Sequence, residues 1–202
     1  MMSQQRNAMD GAPRAANAIP EERILDAAYE LLLAVGMRRM SMADISRRAG
    51  VSRATLYRRW PNVHAVVGAL TTREFANLTR AAFVVAAPSA RAGLVEGVVR
   101  VVRAVRTHPL TRKIIDVDPE FLLPYLLERR GTSTAAQLDL LEAALAVDDR
   151  SIRRGDPRAL SRSIWLTAFS FALTAPVLVD SHVRLDDLDD ELRELLDRYL
   201  AP

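Results

Sequence analysis

SMADISRRAGVSRATLYRRW, residues 41–60, reads as two short helices joined by a tight turn. Ser41 is placed to cap the first helix, and Asp44 sits in its first turn, where a negative charge suits the helix dipole. Ile45 and Ala49, four residues apart, give that helix one apolar face. Gly50 supplies the left-handed backbone that a sharp turn between helices needs, and Val51 is expected to plug the turn against the core. Ser52 caps the second helix, whose Leu56 and Trp60 point inward. Arg53, Ala54, Thr55, Tyr57, Arg58 and Arg59 are left to face outward. A short helix, a glycine turn and a second helix with a basic, hydrogen-bonding outer face form the pattern of a DNA-reading helix-turn-helix.

Working outward, charge is distributed unevenly along the 202 residues. Between Met37 and Trp60 seven arginines stand against the single acid Asp44, a window charge of +6, whereas Asp180–Arg198 holds eight acids and three arginines, −5. One end suits a polyanion and the other does not. Lys113 is the only lysine, so arginine abundance reflects a composition bias, and the clustering on one motif is the more telling sign. The absence of cysteine excludes disulfides and thiolate metal sites. Residues 1–19 are polar and alanine-rich without an apolar run, which argues against a signal peptide and for a cytoplasmic location. They are expected to be a disordered tail, either passive or touching DNA through Arg6 or Arg14.

The remaining pattern is helical throughout. Pro20, Glu21 and Glu22 open a supporting helix with Ile24, Ala27, Ala28, Leu31, Leu32 and Val35 on one face, closed by Gly36. Asn62 caps a long helix running to about Val84, the candidate link between an N-terminal unit and the rest. Residues 90–107 are apolar on nearly all sides, as in a central buried helix, and Leu110–Asp116 make at most a short one. Pro119 opens a helix that Pro124 bends and Gly131 interrupts; residues 133–147 form another. Asp156-Pro157 starts the helix leading into the apolar run 164–179. That run is too short, and too interrupted by Pro176, for a membrane span of about 20 residues. The last helix, 186–200, places Leu188, Leu192, Leu195, Leu196 and Tyr199 on one stripe. Two apolar-striped helices at the C terminus suggest a four-helix interface in a two-fold homodimer.

Asp44-Ile45-Ser46, Ala49-Gly50-Val51-Ser52 and Leu56-Tyr57-Arg58-Arg59-Trp60-Pro61, with the flanking helices at their spacing, resemble the TetR family of transcriptional regulators over about residues 20–70. The resemblance implies an all-α fold of about nine helices. A disordered tail (1–19) would precede a three-helix helix-turn-helix domain (20–65) and a helical ligand-binding and dimerisation domain (66–202). It implies that Ser41 binds a phosphate at the start of its helix, that Arg53, Ala54 and Thr55 face base edges, and that the Tyr57 hydroxyl reaches the DNA backbone. Ser41, Met42, Ser52, Arg53, Ala54, Thr55, Tyr57, Arg58, Arg59 and Asn62 form the candidate DNA-binding set. An arginine can grip guanine O6 and N7 in a bidentate way, and a threonine methyl packs on a thymine methyl. Arg38, Arg39, Arg47 and Arg48 read equally as phosphate contacts or as a solvated basic face. Val63 departs from the family, standing where a phosphate-contacting lysine is common.

His64, His108 and His182 lack a metal spacing, and no glycine-rich phosphate loop or nucleophile motif is present, so neither an enzyme, a cofactor nor a metal site is expected. The acids of Asp186–Glu191 read as a helix N-terminus rather than a cation site. The family expects a mostly apolar effector pocket. Phe75, Phe121, Tyr125, Trp165 and Phe169 are candidate lining residues, with His108 or Arg112 as polar anchor, for a small, hydrophobic effector. Three functions follow: a repressor released by ligand from a pseudo-palindromic double-stranded DNA operator, an all-helical small-molecule-binding protein that has lost specific DNA reading, or an unspecific DNA-packaging protein. The compact basic region and the acidic C-terminal end disfavour the last.

Overall fold

A computed structural model describes residues 21–84, 86–128, 130–147 and 149–202. The tail 1–19, with Arg6, Arg14 and the helix start at Pro20, lies outside the described residues. The first helix, α1 (Glu21–Val35), buries Ile24, Leu25, Ala27, Ala28 and Leu32, while Val35 turns outward. Gly36 ends it at φ +77°. A short 3-10 turn, Met37–Arg39, which the periodicity did not suggest, then leads into α2 (Met42–Ala49). The α2 start is a full capping box: Ser41 Oγ accepts from Asp44 N–H and the Asp44 carboxylate accepts from Ser41 N–H. Gly50 closes it in the left-handed region, φ +64°, ψ +37°. A Cβ there would lie 2.7 Å from the Arg23 guanidinium. Ser52 Oγ accepts from Thr55 N–H to start α3 (Arg53–Arg59), and Asn62 Oδ1 accepts from Ala65 N–H to start α4 (Val63–Ala82).

Beyond α4 come α5 (Ala90–Thr107), α6 (Pro109–Val117), a 3-10 turn at Pro119–Phe121, and α7 (Leu123–Leu127). The chain continues through α8 (Thr132–Leu145), α9 (Pro157–Thr174) with a 3-10 turn at Ala175–Val177, and α10 (Leu185–Leu200). Among the described residues there are ten α-helices and no strands, in keeping with the all-α fold of about nine helices expected. The stretch read as at most a short helix is the nine-residue α6, because Pro109 pre-organises its first turn and the His108 ring nitrogen Nδ1 accepts from Leu110 N–H. The helix expected from Pro119 is broken into a 3-10 turn and α7. No described helix is long and apolar enough to cross a membrane.

Two apolar clusters organise these helices. The first gathers Ile24, Leu32, Ile45, Leu56, Trp60, Val66 and Leu70 of α1–α4. It also takes in Leu110, Ile114 and Phe121, so α6 and the turn after it seal the helix-turn-helix from behind. The second gathers Val99 and Val102 of α5, Ile164 of α9, and Leu192, Leu196 and Leu200 of α10. Helix α4 runs between them, with Val66, Val67 and Leu70 in the first and Phe75 and Leu78 against the second. The α10 stripe differs from expectation. It buries Asp189, Leu192, Leu196 and Leu200, leaving Leu188 half-buried and Leu195 exposed, because the line 189–192–196–200 is the one that meets α5. Asp189 is buried by pairing, its carboxylate 2.7 Å from both Arg103 Nε and Arg106 Nη2 of α5. It is an interior ion pair rather than one more dipole-facing acid, and α5 is correspondingly not apolar all round.

Candidate nucleic-acid interface and ligand cavity

The candidate interface is built by two helices that turn their apolar sides into the first cluster. Leu56 is wholly buried and Trp60 nearly so, which leaves Arg53, Ala54, Tyr57 and Arg58 on one exposed face of α3. Residues 53, 54, 57 and 58 share a face because they are one and four positions apart. Thr55 is half-buried, its hydroxyl 2.9 Å from that of Ser52. Ser41, Ser52 and Asn62 are exposed at the three helix starts. Met42 is a correction: its side chain is buried in the first cluster, since the first residue of α2 faces α1. Arg59 is drawn aside, with Nη1 3.3 Å from Glu21 of α1. Of Arg38, Arg39, Arg47 and Arg48, three are likewise engaged within the chain. Arg38 pairs with Glu120 and Arg48 with Glu30, both at 2.6 Å, and Arg47 with Asp44. Val63 is half-buried and packs on the first cluster, while the neighbouring His64 is exposed.

The Asp44 carboxyl is held below the usual aspartate range, first by the Ser41 hydroxyl and then by Arg47. The ionised carboxylate is therefore part of the α2 cap.

Behind this interface lies a cavity of about 820 Å³. Phe75 of α4, Phe121, Tyr125 of α7, and Trp165 and Phe169 of α9 all line it, as the sequence suggested. Trp165 and Phe169 stack with ring centroids 4.6 Å apart, and Phe121 meets Tyr125 at 5.5 Å. His108 and Arg112 do not line it. His108 is occupied as the α6 cap, with Nε2 3.5 Å from Glu74, and Arg112 is exposed on α6. The polar residues that do line the wall include Glu21, Asn62, His64, Thr71, Thr72, Thr111, Tyr125, Arg130 and the first turn of α8 with Gln137. Thr71 and Thr72 spend their hydroxyl protons on the carbonyls of Val67 and Gly68, and Gln137 Oε1 accepts the Trp165 indole N–H at 2.8 Å. The leucines of residues 133–147 made this stretch legible as a helix but not as a cavity wall, since polar residues reveal a cavity only once neighbours enclose them. Trp60, Pro61 and Asn62, which join α3 to α4, form part of the same wall. Among the described residues no group of three or more His, Asp or Glu is placed to hold a metal.

Residues 24–70 match the family model described as bacterial regulatory proteins, tetR family. Over 181 residues the chain is 36% identical to Rv2250c of Mycobacterium tuberculosis H37Rv, an uncharacterized HTH-type transcriptional regulator, covering 89% of this chain and 93% of that one. The chain belongs to the TetR family. This TetR-family protein also shares its fold with the repressor AlkX of Dietzia sp. (TM-score 0.67, 24% identity, 89% of this chain and 94% of that one). FadR of Bacillus subtilis, crystallised with stearoyl-CoA, superposes with a TM-score of 0.59 at 18% identity, over 90% of this chain and all of that one. The protein is thus a transcriptional regulator of the TetR type, with a DNA-binding helix-turn-helix at its N-terminal end.

Proposed function

We propose that this regulator is a cytoplasmic homodimeric repressor, released from a pseudo-palindromic operator by a small, predominantly apolar effector. The observation that carries the proposal is the shared wall: Trp60–Asn62 end the recognition helix and also bound the 820 Å³ cavity. A molecule filling the cavity presses on the joint that sets the pose of α3. Within the proposal, Arg53, Ala54 and Thr55 read base edges, Ser41, Ser52, Tyr57, Arg58 and Asn62 position the helix on phosphates, and Arg59 joins them only by leaving Glu21. The aromatic lining favours an effector with a large hydrocarbon or aryl part, to which His64, Arg130 and the α8 hydroxyls offer polar anchors.

Dimerisation through α9 and α10 is supported by large apolar side chains left exposed on these helices and on the turn after α9. Leu166 is 63% exposed, Val177 82%, Leu178 68% and Leu195 47%. A two-fold axis there would present two α3 helices to successive major grooves, roughly 34–36 Å apart. The effector must favour the released state, typically by about 1–3 kcal/mol of coupling.

Selection of bound sequences from a random duplex pool at near-physiological salt tests this reading. A two-fold symmetric consensus is expected. Salt-dependent binding with no consensus, or a folded dimer that retains no DNA, would overturn it; the latter would leave a small-molecule-binding protein.

A further inference from the structure

We propose that Asp118 is the positioning residue that ties the DNA-reading helices to the ligand cavity, a role that rests on the regulator reading above. Its carboxylate is wholly buried at the end of α6. A carboxylate taken out of water is stable only where donors replace the lost hydration. Its donors come from the far side of the chain: Oδ2 accepts from Met37 N–H at 2.6 Å and Oδ1 from Arg38 N–H at 3.3 Å. The Arg38 guanidinium stands 3.8 Å from the same carboxylate while gripping Glu120.

Met37–Arg39 is the 3-10 turn between α1 and α2, and Gly36 before it offers no side-chain cap. Asp118 therefore caps from a distance the turn that leads into the helix-turn-helix. The two segments touch so closely that a Cβ on Gly36 would lie 2.9 Å from Val117 Cγ1 and 3.1 Å from Asp118 Oδ2.

On its other side Asp118 is joined to the cavity wall. Its carbonyl accepts from Phe121 N–H at 3.0 Å, closing the turn Pro119–Phe121. Phe121 is buried and faces the cavity beside Tyr125. Two residues thus separate a ring that a ligand can displace from a carboxylate that holds the approach to α2. Apolar contacts can slide, whereas charge-assisted hydrogen bonds are directional, so a ligand that shifts Phe121 together with its backbone moves the turn or breaks its cap.

Hydrogen exchange of the full-length, DNA-free protein tests the clasp. Asp118→Asn keeps the size but turns an NH2 group toward a backbone donor. It is expected to speed exchange over residues 36–49 by about tenfold or more while residues 160–173 and 188–200 keep wild-type rates. Unchanged exchange at 36–49, or equal acceleration everywhere, overturns the clasp. Saturation with the amphipathic anionic dye 8-anilinonaphthalene-1-sulfonate is expected to alter exchange at 36–49 in wild type and not in Phe121→Leu. No response in wild type, or an equal response in both, overturns the link to the cavity.

The operator recovered by selection, remade with one extra base pair between half-sites, supplies the positioning readout. Wild type should discriminate the two by about tenfold and Asp118→Asn by less than about threefold. Loss of folded protein alone lowers binding to both DNAs equally, so a preserved ratio overturns the role. Should selection yield no operator, the regulator reading fails while the exchange result still decides the clasp.

Discussion

In the helix-turn-helix, the polar groups that shape the backbone find partners within three residues: Ser41 with Asp44, Ser52 with Thr55, Asn62 with Ala65. Around the second cluster the decisive pairs are remote in sequence. Arg106 meets Asp189 at 2.7 Å across 83 positions, Arg193 meets Glu96 at 3.0 Å across 97, and Trp165 meets Gln137 at 2.8 Å across 28. The first region is specified by neighbours along the chain and presents a surface. The second is specified by neighbours in space and encloses a volume. The difference teaches where each is vulnerable: one through its caps and outward side chains, the other through a few buried pairs.

The largest effect is expected from breaking a remote pair. Asp189→Ala strands Arg106, whose side chain is only 5% exposed, and should cost about 3–5 kcal/mol in chemical denaturation. The double variant Arg106→Met/Asp189→Leu should recover most of that loss, since apolar packing can replace a buried ion pair. If Asp189→Ala unfolds like wild type, the contrast between the two regions falls.

The surface region is sharpened by two variants next in size. Arg53→Ala should relax base preference at one position by about 1–3 kcal/mol, measured by competition among selected sequences. Arg58→Ala should weaken all sequences alike and reduce the salt slope by about one. Indistinguishable effects of the two across sequences would remove the division between reading and positioning. A smaller loss, about 1 kcal/mol of thermal stability, is expected for Ser41→Ala, which deletes one half of the α2 capping box.

The smallest effect is one of pH. Asp44 has a lowered pKa in the folded protein, so its cap is fully present above the ordinary aspartate value near 3.9 and is lost as pH falls through the lowered value. Amide protection in α2 should therefore be flat from about pH 7 to pH 5 and decline only in stronger acid. A decline near neutrality would assign the cap to another group.

The backbone and outward face of the candidate interface were legible because each residue that shapes them is announced locally. Glycine at 50 takes the positive φ, serine precedes each short helix, and Leu56 and Trp60 are spaced for one buried face. Met42 was misplaced because a helix's first residue is assigned to a face only by what packs beside it. The five cavity aromatics were visible as bulky residues on apolar helices, but His108 and Arg112 were not separable from true lining residues. A histidine before a proline can cap a helix or point into a pocket, and only the packing of α6 on α1 and α5 decides between them. Asp118 carried no sign of its role, since an aspartate before Pro119 reads as an ordinary local cap while its carboxylate serves residues 37 and 38.

The amino-acid sequence by itself determined the all-helical fold, the caps and turn of the helix-turn-helix, and the outward face of α3, because periodicity and capping act over one or two turns of chain. Tertiary structure alone decided which acids are buried, which polar groups line the cavity, and how α6 holds the turn ahead of α2. Burial of a charge or closure of a volume depends on groups brought together from distant positions, and no local pattern encodes that meeting.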